Sequence, residues 1–523
     1  MRTRHLAAFL LALTPVVWAQ PEAYDLVIVN ARLVDGTGAP ARSSNLGIRA
    51  GKIARIGGVT AAQGNAVIDA HGQVVAPGFV DVHTHADDLA ERPAATNLVS
   101  MGVTTVVAGN CGSSALDVGA AFEQITEVGS AVNFATLIGH NTVRSAVMGR
   151  AQRAPTAGEL QNMKSLVFKG MADGAVGFST GLQYIPGTYA SAPEVVELAR
   201  VAGNEGGIYA THMRNEGTAL LDAVRESINV GSTLRMPVQI SHLKVDSPSQ
   251  WGASAAALAL IDEARKKGVD VQADQYAYTA GASSLSIRFP SWALEGTNNE
   301  VSARLNDAAS WARIKVEMAQ MLKERGFTDL SWATVATYRA NAALNGQTMK
   351  AVAMTMFGRD AADDQLEAAR VMMLSGGASM VYHFMSEDDI ERIMRHPMVS
   401  VASDGGIVTF GSGVSHPRSY GNTVRVLARY VRERKVISLE EAVRKMTSLP
   451  ARHFGLTGRG ELKVGAAADI VIFDPATVSD VATYDAPHAY PVGLSHVLVN
   501  GVPVMRDGVQ LAARPGDVVR RAK

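Results

Sequence analysis

Two histidines stand two residues apart at the end of an apolar run, His83 and His85 in the segment APGFVDVHTH. On a β-strand, residues i and i+2 face the same side, so both imidazoles can converge on one point. A single pair of this kind is as consistent with chance or a surface pair as with a metal site. The placement recurs, however: Cys111 in AGNCG, His212 in IYATHMRNE, His242 in VQISHLKV and Asp404 in VSVASDGG each close an apolar run of their own. Imidazole, thiolate and carboxylate are metal-binding groups. Each alone is more often a packed or loop residue than a ligand, but five strand ends offering such groups point together to a metal centre.

The elements that would carry these residues alternate apolar runs with segments of helical period, the sequence form of a parallel sheet with crossover helices. The spacing predicts strands at Val75–His83, Thr104–Ala108, Phe134–Ile138, Ala175–Ser179, Gly207–His212, Val238–His242, Val269–Ala273 and Met398–Ser403, with Met380–Phe384 competing for the seventh place. Eight strands suggest a closed (β/α)₈ barrel, whose active sites lie at the carboxyl ends of the strands. Ser191 and Glu194 form a capping-box pattern ahead of a helix that Gly203 and Gly206 bracket at its end. Between about Gly281 and Gly376 the alternation breaks and helical stretches such as Trp311–Arg325 intervene, which reads as an insertion on a late barrel loop, either a lid or a plain excursion.

Short β-branched runs flank this middle: Asp25–Leu33, Leu46–Ile56 and Ala66–Val75 before it, Ala468–Phe473, Ser495–Val499 and Val502–Met505 after it, with an Asn500-Gly501 turn in the last pair. They predict one small β-sandwich domain assembled from residues 20–72 and 461–515, beside a barrel domain spanning 73–460. The first residues, Met1–Ala19, carry Arg2 and Arg4, an apolar run to Trp18 and small residues ahead of Gln20, the form of a signal peptide, which predicts export to the periplasm or medium. An uncleaved membrane anchor is the other reading, though the run is shorter than the roughly 20 residues that span a bilayer.

The 523 residues carry 49 Lys plus Arg against 49 Asp plus Glu. That balance offers no electrostatic footprint for nucleic acid, and a small neutral or zwitterionic partner fits it better. With one cysteine in the chain, no intramolecular disulfide can form, so Cys111 is a packed thiol, a metal ligand or a nucleophile according to its surroundings.

The chain resembles the amidohydrolase superfamily, and within it the N-acyl-D-amino-acid deacylases, from about Tyr24 to Gly508, on the motifs PGFVDVHTH, TTVVAGNCG, GFSTGLQYIPGTYA, ATHMRNE, ISHLKV, ASDGG, HPRSYGNTVRVLARYVRE and GELKVGAAADIVIFDP. The resemblance implies a TIM barrel flanked by a β domain from both termini, and hydrolysis of an amide in a small carboxylate-bearing substrate. It implies a tightly bound Zn²⁺ on Cys111, His212 and His242, a second, weaker position at His83 and His85, and Asp404 as the acid/base. Arg418, Tyr184 and Lys244 are implied to hold the substrate, an arginine fork suiting a carboxylate.

Other readings compete. Gly177-Phe178-Ser179-Thr180-Gly181 matches the G-x-S-x-G pattern of serine hydrolases, but Pro186 and Gly187 follow where a helix should open. A dipeptidase or cyclic-amide hydrolase would use the same machinery. A metal-binding protein without turnover would have less need of Asp404. His140 closes a predicted strand and could line the site or support it, whereas His383 reads as structural.

Overall fold

The computed structural model describes residues 23–522; the segment read as an export signal lies outside the described residues. Eight parallel strands are hydrogen-bonded in chain order: β1 (Phe79–Asp81), β2 (Val103–Ala108), β3 (Asn133–Gly139), β4 (Gly177–Gly181), β5 (Ile208–His212), β6 (Val238–Ile240), β7 (Val271–Gln275) and β8 (Val399–Val401). Buried on both faces, most such strands read in sequence as largely apolar runs. The ring closes between β8 and β1 just beyond the strands themselves. Ser403 N donates to the Asp81 carboxylate at 3.0 and 3.2 Å, Asp404 N donates to His83 O at 2.8 Å, and Gly405–Gly406 pairs with Thr84–His85.

The predicted strand Val75–His83 is divided at Gly78. Val74–Pro77 pairs with Ile470–Phe473 in the terminal sheet, and only Phe79 onward joins the barrel. A Cβ on Gly78 would lie 2.2 Å from Thr104 Oγ1, so only glycine lets the chain cross from one sheet to the other there. The segment Met380–Phe384, the competitor for a barrel strand, lies elsewhere: Ser379–His383 is the central strand of an antiparallel sheet with Ala280–Ser284 and Ala333–Thr337. Met380 and Tyr382 face the core of that unit while Val381 faces away from it, an alternation that suits antiparallel partners but looks in sequence like any apolar run.

Nine strands from both ends of the chain form one mixed sheet. Ile470 and Ile472 cluster with Ile28, Ile48 and Ile68, so one face folds over itself as the expected small sandwich. The intervening Val471 and Phe473 pack against the barrel helices instead. The last residues run beneath the barrel: Phe134 N donates to Asp517 O at 2.9 Å and Val519 N to Phe134 O at 2.7 Å. There Val519 packs against Val80, Val107, Ala135 and Leu137.

The excursion between β7 and β8 has its own core, including Trp311, Ile314, Met318 and Tyr382, and includes a helix over Ala308–Arg325. A buried ion pair from Arg325 to Asp246 (2.6 Å) and a hydrogen bond from Trp251 Nε1 to Phe384 O (3.0 Å) fix it to the loop after β6. Among the described residues no helix is long and apolar enough to cross a membrane.

Candidate metal centre and active site

All the residues singled out as ligands meet at the carboxyl ends of the barrel strands. Cys111 follows β2 in a turn where Gly109, Cys111 and Gly112 all take positive φ (+72°, +53° and +77°), which lifts the thiol toward the barrel axis. His212 ends β5, His242 follows β6, and Asp404 follows β8; His242 and Asp404 also take positive φ, +35° and +50°. Three of the six candidate ligand or acid/base residues thus occupy a backbone region that non-glycine residues enter at a cost of order 1 kcal/mol.

Cys111 Sγ lies 3.4 Å from His83 Nε2, 3.7 Å from His212 Nδ1 and 3.6 Å from His242 Nε2, and those last two nitrogens lie 2.7 Å apart. Zinc bonds of about 2.3 Å to sulfur and 2.0–2.1 Å to nitrogen at tetrahedral angles would set sulfur and nitrogen about 3.6 Å apart. By the sulfur–nitrogen distances the residues present fit one zinc ion between Cys111, His212 and His242, with His83 in the same range of the thiol; the two nitrogens stand closer than the about 3.3 Å that such an ion would set between them. A second group able to hold an ion is His83, His85 and Asp404, with Asp404 Oδ1 3.5 Å from His83 Nε2 and 3.1 Å from His85 Nε2. His85 alone of these is substantially exposed, at 39% of its side chain.

The electrostatics call for a cation. Burial would push the Cys111 thiol up, but the charge of His83 and hydrogen bonds from His212 and His242 hold it well below the usual thiol range. Burial likewise opposes ionisation of Asp404, yet Arg418, whose Nη1 lies 2.7 Å from Oδ2, with His242, His85 and His83, keeps its carboxyl well below the usual carboxylate range. Burial would lower His85, but hydrogen bonds to Asp404 and Cys111 raise it to about 10. The raised proton affinity of His83, His85 and His242, though not of His212, which burial lowers, marks places that a metal's positive charge would take.

Behind the cluster stand carboxylates that sequence reasoning did not assign. Asp274, in β7, accepts from His242 N at 2.7 Å and pairs with His83 Nδ1 at 3.4 Å. Glu216 lies 3.0 Å from His242 Nδ1 and 2.6 Å from Lys244 Nζ. Both stand in the ligand motifs or at a strand end, and the signal was there: β7 was the barrel strand for which no functional residue had been named. Lys244 is buried and engaged by Glu216 rather than standing free, although it still borders the pocket.

The pocket above the cluster, about 320 Å³, is bordered by Gln183, Tyr184, Lys244, Tyr276, Arg288 and Asp404, with the insertion supplying one wall through Gly281, Ala282 and Ser283. Tyr184 reaches in with its hydroxyl 3.3 Å from His212 Nδ1. Tyr276, also unassigned from sequence, lies beneath Arg418 and Lys244, its ring centroid 4.8 and 5.7 Å from their cationic centres. Arg418 is positioned by His416, which accepts from its backbone N at 3.0 Å and donates to Ala280 O at 2.8 Å.

Two competing residues fall outside the chemistry. Ser179 is buried, donating to Gly109 O at 2.5 Å and accepting from Gly112 N at 3.1 Å, so it braces the Cys111 turn and has no base beside it. His140 is bonded to Glu194 at 3.0 Å, in a buried group with Arg144, away from the cluster. That pairing also takes Glu194 out of the predicted capping box: Ser191 caps the helix Ala192–Asn204, but the Glu194 side chain turns inward.

A family model for the amidohydrolase family matches residues 66–505. The chain belongs to the amidohydrolase family. This amidohydrolase is 38% identical to the N-acyl-D-glutamate deacylase of Alcaligenes xylosoxydans xylosoxydans, over 96% of this chain and 97% of that one. It is 35% identical to the D-aminoacylase of the same organism, over 96% and 98%. A crystal structure of the N-acyl-D-glutamate deacylase of Bordetella bronchiseptica, holding zinc and a phosphonate mimic of the tetrahedral intermediate, matches with a TM-score of 0.81 at 37% identity, over 95% of this chain and 100% of that one.

Proposed function

We propose that this amidohydrolase is a zinc-dependent deacylase of N-acyl-D-amino acids, releasing a carboxylic acid and a D-amino acid. The observation that carries the proposal is the convergence of Cys111, His212 and His242 on one point, with Asp404 beside it and cations around the pocket. Names of the relatives support the substrate class and its D configuration. Cys111, His212 and His242 hold the tight zinc; His83 and His85, with Asp404 alongside, offer the weaker position. Bound there, zinc lowers the pKa of its water to about 7 and polarises the scissile carbonyl.

Asp404 accepts the proton of the attacking water and returns it to the departing nitrogen, which would otherwise leave as an amide anion. The Tyr184 hydroxyl donates to the carbonyl oxygen as negative charge gathers on it. Arg418 receives the substrate's α-carboxylate, and Lys244 and Tyr276 border the same place. Because Arg418 also pairs with Asp404, a bound carboxylate draws that cation away and raises the basicity of Asp404 when substrate is present.

A second cation favours an acidic side chain on the substrate. Arg288 lines the pocket, is 5% exposed and leaves Nε buried without a hydrogen-bond partner, its guanidinium stacked on Tyr382 and Trp332 at 4.4 and 5.0 Å from the ring centroids. A buried guanidinium short of partners is satisfied by a second carboxylate. The test is a turnover panel of N-acetyl-D-glutamate, N-acetyl-D-leucine, their L enantiomers, dipeptides and hydantoins, before and after chelation. Hydrolysis of the D-glutamate derivative, abolished by chelator and restored by zinc, is expected; exclusive turnover of L-dipeptides or cyclic amides contradicts the proposal.

Export is part of the same proposal, supported by Arg2, Arg4 and the apolar run that follows. A mature chain beginning at Gln20 in the periplasm or medium is the expected finding.

A further inference from the structure

The two imidazoles of the tight zinc position are each supported from behind by polar side chains, and one carboxylate is common to both. His242 presents Nε2 to Cys111 (3.6 Å) and Nδ1 to the opposite side, where it meets Lys244 Nζ at 2.7 Å and Glu216 Oε1 at 3.0 Å. His212 presents Nδ1 to Cys111 (3.7 Å) and Nε2 to Gln183 Oε1 at 2.8 Å, with Glu216 Oε2 beyond at 3.7 Å. Glu216 is 3% exposed and Lys244 4%, so both charged heads rest on protein partners.

A ring nitrogen that binds metal must offer its lone pair, so the other nitrogen must carry the hydrogen and give it to an acceptor. For His242 the neighbours of Nδ1 compete. An ammonium has three donors and no acceptor, so a hydrogen bond from Lys244 would fix the tautomer with hydrogen on Nε2, which blocks the metal-facing lone pair. Glu216 accepts only, and accepting from Nδ1–H leaves Nε2 free. Lys244 then donates to Glu216 at 2.6 Å and holds that carboxylate in place. The local spacing encodes the arrangement: Glu216 follows His212 by four residues and Lys244 follows His242 by two, on adjacent strand ends.

We infer that Glu216 is a positioning residue that sets the metal-binding tautomer of His242, with Lys244 as its counter-ion. The inference rests on the zinc reading of the site. Loss of such an outer partner typically costs 10- to 100-fold in metal affinity. In Glu216→Gln the amide oxygen can still accept, but the amide nitrogen can donate to Nδ1 and favour the wrong tautomer, and Lys244 loses its counter-ion.

The experiment compares zinc affinity of wild type, Glu216→Gln, Lys244→Met and the double variant by competition with a chromophoric chelator, with visible spectra of the Co²⁺ forms and melting of the metal-free proteins. Zinc binding weakened about 10- to 100-fold in Glu216→Gln is expected, with an altered Co²⁺ spectrum, an apoprotein melt lowered by the unpaired charge of Lys244 and recovered in part in the double variant, and zinc affinity of the double variant less than additive. Zinc affinity within about twofold of wild type together with an unchanged Co²⁺ spectrum overturns the inference. Should Glu216→Gln fail to fold, Glu216→Asp, which keeps the charge but withdraws the acceptor, is read by the same two outcomes. Wild type that binds no zinc overturns the parent reading as well; wild type that binds zinc beside an unaffected variant overturns this inference alone.

Discussion

Asp404 combines two demands in one residue: a carboxylate oxygen that can move a proton and a backbone at φ +50°. Asparagine is nearly the same shape and tolerates the left-handed region better than most residues, but it cannot accept the proton. Asp404→Asn is therefore expected to lower kcat by about 10²- to 10⁴-fold, the usual size of an acid/base contribution, with some loss of stability because buried Arg418 loses its counter-charge; steady-state kinetics beside calorimetry check it. His416 makes the second prediction. Burial and the charge of Arg418 hold its imidazole well below the ordinary range, so it is neutral in the folded protein. The unfolded chain takes up that proton first as pH falls, so stability from this group is complete above about pH 6.5 and is lost below it. Denaturant unfolding is expected to show a stability that declines from about pH 7 to about pH 5, with a shallower decline in His416→Gln; an unchanged slope contradicts the assignment.

At the level of elements, hydrogen bonds from several loops hold the insertion to the barrel, and the Arg325–Asp246 pair adds a buried ion pair to them. Arg325→Met leaves Asp246 without its cation at 2% exposure, which costs about 3–5 kcal/mol when a buried pair is broken from one side. Faster hydrogen exchange confined to Leu285–Phe384 and the loop after β6 is the expected signature. The same elements show what could be read in advance. Most barrel strands were visible because burial on both faces favours an apolar run, plain in VTTVVA of β2 and weak in VQADQ of β7, and the candidate ligands were visible because metal-binding groups recur at five strand ends. Gly78 was not recognised as a crossing point, since VVAPGFVDV reads as one strand until the proximity of Thr104 is known. Nor were Glu216, Asp274 and Tyr276, whose roles depend on distances between strand ends that no spacing along the chain records.

Across the whole molecule, the two chain ends meet in one sheet and the final residues return beneath the barrel. Truncation after Leu511 removes Val519 from the barrel floor and the two backbone hydrogen bonds by which Asp517 and Val519 hold Phe134. A loss of about 1 kcal/mol or more in unfolding free energy is expected, the order for withdrawing one partly buried aliphatic side chain, with amides of β3 losing protection from exchange. The barrel thus gathers at one end, from β2, β5 and β6, the side chains proposed to hold zinc, while terminal sheet and tail close the rest. X-ray absorption at the zinc edge of the purified protein tests this most directly. One sulfur neighbour at about 2.3 Å with two imidazole nitrogens at about 2.0–2.1 Å, the sulfur vanishing in Cys111→Ala, is the predicted result; a shell of nitrogen and oxygen alone in the wild-type protein would contradict the account.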